Sequence, residues 1–275
     1  MDNLMQDFPL RVTSIIDHAA KYHSKRKIIS KDTKGAVTNT NYTNVCRNSK
    51  KVADGLQKLG VKKGDVIGVM AWNNHCHLEV WYGIPGAGGV NHNLNPRLFS
   101  EQLIYIINHA NDKIIIVDLD LVPVIEKIID DCPNVEKVVI LCSKADLPST
   151  KFSEVIAYEE LLSMGSENFQ WVEGEETDAC GICYTSGTTG NPKGVVYTHR
   201  SNTLHALTQA APDMLNLSST DTVMPVVPLF HANGWSIAYT APLVGSSIVF
   251  PGGDLSPSSL YDLSLIHISE PTRRI

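Results

Sequence analysis

The run Tyr184-Thr-Ser-Gly-Thr-Thr-Gly-Asn-Pro-Lys-Gly-Val195 gathers the groups that a polyphosphate needs. Thr185, Ser186, Thr188 and Thr189 each carry a hydroxyl that can donate to a phosphate oxygen. Gly187, Gly190 and Gly194 have no Cβ, so backbone N–H groups there can approach an anion closely. Lys193 adds a compact positive charge on a flexible stem. The run is not a Walker phosphate loop, which requires G-x-x-x-x-G-K-[ST]; here Lys193 follows Pro192 and precedes Gly194. Apolar residues on both sides predict flanking strands, so the helix start that holds phosphate in a Walker loop is not expected either. A turn that only reversed the chain would have no use for so many hydroxyls beside a lysine.

A second candidate is Pro228-Leu-Phe-His-Ala-Asn-Gly-Trp235. His231 and Trp235 stand four residues apart, so on a helix start they share one face. By position alone, a structural histidine and a core-anchoring tryptophan explain the pair better. Cys180 and Cys183 make the only C-x-x-C among six cysteines. They fall in the apolar stretch Ala179-Cys-Gly-Ile-Cys-Tyr184, which predicts a buried strand and not a redox or zinc site. His75-Cys76-His77 lacks a zinc spacing and predicts a helix start or a surface position. His199 stays open between a structural and a site role, and Trp81 and Trp171 predict packing.

These residues need a scaffold, and the hydropathy pattern supplies one. Helices are predicted at Ser14 to Tyr22, across Val45, Ser49, Val52, Leu56 and Leu59, from His75 to about Gly86, at Glu101 to His109 capped by Ser100, and at Val122 to Asp130. Asn41 or Thr43 can cap the second and Gly60 can end it. Strands are predicted at Val66 to Ala71, Lys113 to Val117 and Lys137 to Leu141, with a hairpin of Lys27 to Ser30 and Ala36 to Thr40. Residues 143–177 read as a polar connection with one short helix near Glu159 to Met164. Strands resume at Cys180 to Thr185 and Gly194 to Thr198, then a helix from Ser201 to about Leu215, then strands at Thr222 to Val227 and Ser247 to Phe250. Strand and helix alternate at this spacing in α/β folds with largely parallel sheets covered by helices.

Composition narrows the class. The chain has 275 residues, 43% of them apolar and 19% charged, enough for a buried core. Its net charge of −6 argues against a nucleic-acid partner. No apolar run reaches the roughly 18 residues of a membrane span, and Met1 to Asp7 is too polar for a secretory signal. A cytoplasmic enzyme or binding protein is expected.

Taken together, the Tyr184–Val195 run resembles the phosphate-binding signature of the adenylate-forming superfamily. Pro228 to Trp235, continued by Ala241-Pro-Leu-Val-Gly245, resembles the acyl-site motif of its fatty-acyl-CoA synthetases. Ala71-Trp-Asn-Asn74, His77-Leu-Glu-Val-Trp-Tyr-Gly83, Asn95-Pro-Arg-Leu-Phe99 and Ile106-Ile-Asn-His-Ala110 are similar to the branch of medium-chain fatty-acid and 3-methylmercaptopropionyl-CoA ligases. The resemblance runs from about Asp7 to Asp262. It implies ATP, Mg²⁺ and coenzyme A, a small carboxylate substrate, and a homodimer as one possible assembly. By residue, it implies phosphate binding by Thr185, Ser186, Gly187, Thr188, Thr189, Gly190 and Lys193, with Thr185 also near Mg²⁺. His231 would stand at the acyl carboxylate with a catalytic role beside Lys193, and Trp235 would line the fatty-acid tunnel. An aryl or amino acid is the alternative substrate, though an amino-acid pocket wants an acidic partner for the ammonium group. A non-catalytic ATP-binding remnant is the other alternative.

No match exists for the family's adenine-binding strand, its further acidic Mg²⁺ ligand, its ribose-binding aspartate or its C-terminal domain with the catalytic lysine. Residues 1–262 are therefore expected to be an incomplete N-terminal adenylating domain, inactive alone. Leu263 to Arg273 coincides residue for residue with a translated transposon-based sequencing adaptor. Residues 263–275 are expected to be a non-native tail that packs poorly.

Overall fold

The computed structural model describes residues 7–185 and 191–269. Helix α1, Val12–Tyr22, starts before Ser14 because the Val12 N–H finds an acceptor in His199 Nδ1 at 3.3 Å. Strands β1, Lys27–Lys31, and β2, Val37–Asn41, pair as the expected hairpin, turning at Gly35 with φ +85°. Asn41 caps α2, Tyr42–Lys58, by accepting the Asn44 N–H at 3.0 Å. The buried face of α2 includes Val45, Ser49, Val52 and Leu56.

The βα alternation follows: β3 Val66–Met70, α3 His75–Gly86, β4 Val90–Asn93, α4 Ser100–Ala110, β5 Asp112–Asp118, α5 Val122–Ile128 and β6 Lys137–Leu141. Next come β7 Val155–Ala157, α6 Tyr158–Met164, β8 Ala179–Thr185, β9 Lys193–Thr198 and α7 His199–Gln209. The described chain closes with β10 Thr222–Val223, α8 Ile237–Val244, β11 Ser247–Phe250 and α9 Pro257–Ser264.

Two sheets form. The larger runs β7-β6-β5-β3-β4-β8-β9, parallel except for the antiparallel β8–β9 pair; the smaller runs β10-β11-β1-β2. This is the expected α/β class. The chain leaves β3 for β4 on one side and returns to β5 on the other, the crossover of a doubly wound sheet.

Several expectations need correction. Strand β4 was hidden because Val90-Asn-His-Asn93 has no apolar alternation; its polar side chains are buried, and those of His92 and Asn93 bond to other buried groups. Strand β7 is three residues long inside the polar connection. Ser100 is the first residue of α4 and not its cap; the Phe99 N–H before it is taken by Gln102 Oε1 at 3.3 Å. Helix α7 stops at Gln209 because Pro212 cannot continue it. The tail is not uniformly loose: Leu263 is buried with Ile29 and Val249, and Ile268 packs against them, while Leu265 and Ile266 are exposed.

Helix α3 carries a buried acid. Glu79 accepts from the Tyr158 hydroxyl at 2.6 Å and Asn48 Nδ2 at 2.9 Å, but burial outweighs both and pushes its pKa up to about 7. A folded-state pKa above the ordinary 4.5 means that the folded chain holds this proton more tightly. The stability it brings is full below about pH 4.5 and is lost as pH rises through 7, roughly 3 kcal/mol in all. Glu79→Gln is expected to flatten that decline in urea unfolding; an unchanged slope places the titration elsewhere.

Candidate functional site

Thr185 and Lys193 are the last register pair of β8 and β9. The phosphate run therefore leaves and re-enters the sheet at one point, with a hydroxyl and an ammonium at its base. Both residues are exposed, and Lys193 makes no ion pair among the described residues. Ser186, Gly187, Thr188, Thr189 and Gly190 lie outside the described residues. The segment after the run is a strand, as expected, and not the helix of a Walker loop. At Gly194 a Cβ would lie 3.0 Å from the Tyr184 ring, so the glycine also makes room for an aromatic neighbour.

A cavity of about 260 Å³ joins this base to the second motif. Thr185, Tyr184 and Pro192 line one part of it, and Phe230 and His231 another. The sequence-predicted residues Thr185 and His231 thus share one space. Trp235 does not share a helical face with His231. His231 precedes a short 3-10 turn, Ala232–Ser236, in which Gly234, Trp235 and Ser236 have φ of 55°, 54° and 62°. Left-handed backbone at a tryptophan costs about 1–3 kcal/mol, and such strain gathers at functional sites. The Trp235 side chain is 57% exposed, so in this chain it is not a core anchor.

Sequence reasoning missed the residue that places His231. Asn73, just beyond β3, is buried and spends its whole amide on the segment before His231. Its Nδ2 donates to the Pro225 and Val227 carbonyls at 2.8 and 3.0 Å, and its Oδ1 accepts the Leu229 N–H at 2.8 Å. These bonds take residues that the strand prediction had assigned through Val227. Trp72 packs edge-on against Phe230 at 6.2 Å. The quoted Ala71-Trp-Asn-Asn74 was the available signal, but nothing local tells which distant backbone an asparagine will hold.

The region below is polar and closed. Burial brings the His77 pKa down to about 4. Neutral His77 donates from Nδ1 to the Trp72 carbonyl at 3.1 Å, and its Nε2 faces the Asn93 amide, a lining residue of the cavity. Asp118, at the end of β5, accepts the Trp72 N–H at 2.6 Å; burial pushes its pKa up to about 7. A separate cavity of about 220 Å³ beside Asp118 shares no lining residue with the first.

The weaker candidates resolve as structural. Cys180 is buried in β8, its pKa pushed up to about 12 by burial, and it accepts from Asn202 Nδ2. His199 holds the start of α1 through Nδ1, and burial lowers its pKa to about 4, which keeps the accepting nitrogen free of a proton. Trp81 is core, and Trp171 donates to Asp17 at 2.7 Å. Among the described residues no group of three or more His, Cys, Asp or Glu could hold a metal ion. No described helix is long and apolar enough to cross a membrane.

The AMP-binding enzyme family matches residues 16–272. A medium-chain-fatty-acid–CoA ligase of Ectopseudomonas oleovorans is 45% identical over 254 residues, 92% of this chain and 46% of the relative. A 3-methylmercaptopropionyl-CoA ligase of Ruegeria lacuscaerulensis is 42% identical over 94% of this chain and 48% of its own. A long-chain-fatty-acid-CoA ligase structure from Archaeoglobus fulgidus superposes with a TM-score of 0.81 at 26% identity, over 94% of this chain and 50% of that one. The chain spans about half the length of the curated relatives it matches.

Proposed function

This chain belongs to the AMP-binding enzyme family, and on that premise we propose that it is the N-terminal part of an ATP-dependent fatty-acid–CoA ligase. A substrate carboxylate oxygen attacks the α-phosphorus of ATP. A new P–O bond forms, the bond to the β-phosphate bridge breaks, and pyrophosphate leaves. The thiol of coenzyme A, losing its proton, then attacks the acyl carbon; a C–S bond forms and AMP departs with the carboxyl oxygen.

The first step brings an anion to a polyanion, so its barrier is electrostatic. Lys193, Thr185 and the donors of Ser186 to Gly190 offset the charge that grows on pyrophosphate. Mg²⁺ would add charge there, with Thr185 as its hydroxyl contact. His231 faces the same cavity from the acyl side. That shared cavity is the observation that carries the reading, because it lets the carboxylate and the phosphates meet. The reading is tested in the full-length enzyme by its nucleotide product: AMP with pyrophosphate supports it, and ADP contradicts it. Residues 263–275 are proposed to be foreign to the enzyme; finding their codons in independently amplified genomic DNA contradicts this.

Trp235 is proposed to govern acyl selectivity. Its exposed side chain stands on a strained turn after His231, free to contact a substrate chain. Trp235→Ala is expected to change the ratio of kcat/KM between short and long fatty acids by about 10-fold or more, at about 1–3 kcal/mol per methylene admitted or excluded. A uniform loss at every chain length assigns Trp235 to structure.

A further inference from the structure

Four side chains lead from the core to the residue before Thr185, and the mechanism above uses none of them. Asp112 and His92 are fully buried, with His92 Nδ1 2.9 Å from both carboxylate oxygens. The carboxylate fits only because β3 carries Gly68, where a Cβ would lie 2.8 Å from Asp112 Oδ2. The Tyr184 ring lies against His92, 5.0 Å between centroids. Its hydroxyl is hydrogen-bonded to His109 Nδ1 at 2.6 Å, and His109 stacks on Tyr105 at 5.3 Å. Gly194, the register partner of Tyr184, leaves the space that the ring occupies.

Two apolar side chains would fill the Asp112–His92 space without the desolvation cost of a carboxylate and an imidazole. What the polar pair adds is direction: a hydrogen-bonded imidazole has one orientation, and the Tyr184 ring rests on it. Tyrosine has few side-chain torsions, so contacts at both ring and hydroxyl fix its backbone as well. The next residue is Thr185.

We infer that Asp112, His92, Tyr184 and His109 form a positioning relay that fixes where β8 delivers Thr185, and so sets nucleotide affinity. The ligand rests on the ligase reading above; the relay rests on geometry alone. Tyr184→Phe keeps the ring and removes the hydroxyl, and His109→Ala changes an exposed side chain, so both variants are expected to fold.

In the full-length enzyme, each variant is expected to raise the KM for MgATP about fivefold, the loss of one hydrogen bond. The kcat and the KM for fatty acid should stay within about twofold. The double variant should be no worse than the worse single, since both remove the same bond. An ATP KM within about twofold of wild type, or additive losses, overturns the relay. A second readout needs no activity. Amide hydrogen exchange across residues 185–193 should quicken about fivefold in Tyr184→Phe, with β3, β5 and β6 unchanged. If the wild type shows no acid-dependent turnover, the ligase reading fails and exchange still decides: quickening confined to 185–193 upholds the relay, while unchanged or molecule-wide exchange overturns it.

Discussion

Lys193→Ala is expected to slow acid-dependent pyrophosphate exchange in the full-length enzyme by about 10²- to 10³-fold, the roughly 2.7–4 kcal/mol that one preorganised donor supplies to a developing oxyanion. The residue opens β9 in register with Thr185, so its ammonium rises from the base of the phosphate run with no competing ion pair among the described residues. Removing it leaves the hydroxyls of Thr185 and its neighbours to hold charge that they can only share by hydrogen bonding. Lys193→Arg should recover part of the rate, because charge returns on a wider, planar head in place of a compact one. A rate within about twofold of wild type for Lys193→Ala, the scatter of a surface substitution, makes the lysine a bystander.

Asn73→Ala should destabilise the chain by about 3–5 kcal/mol in urea unfolding, since two buried backbone groups and one half-buried group lose their partners at about 1–3 kcal/mol each and only partly recover them. The Leu229 N–H and the Pro225 and Val227 carbonyls are the groups left unpaired. Because Leu229 and His231 are two residues apart, the KM for fatty acid should rise more than that for ATP. Asn73→Asp keeps the acceptor for Leu229 but sets a buried carboxylate oxygen against the two carbonyls, and should be no more stable than Asn73→Ala. A loss below about 1 kcal/mol for Asn73→Ala would mean that the 225–229 segment is held by its own packing.

What the sequence disclosed was local. The run proposed to bind phosphate stands out because its chemistry is written in consecutive residue types, and the doubly wound sheet is legible because apolar strands and helix stripes have fixed periods. Long-range partnerships are not legible. Strand β4 looks polar until Asp112, from the far side of β3, meets His92, and His77 meets Asn93. Asn73 reads as a loop residue until a segment about 150 positions later comes to lie on it. The left-handed Trp235 has no signal of its own, since a bulky side chain is normally excluded from that region. Gly194 shows the converse: its presence was legible and its packing reason was not, because the Tyr184 ring reaches it across the strand pair.

We propose that this site drives formation of an acyl-adenylate. It is tested most directly by incubating the full-length enzyme with ATP, Mg²⁺, a medium-chain fatty acid and radiolabelled pyrophosphate, with coenzyme A left out. Label should appear in ATP, and only when the fatty acid is present, because the adenylate forms and reverses before any thiol is needed. Label that enters ATP without an acid, or no label with any acid while ADP accumulates, would contradict the account.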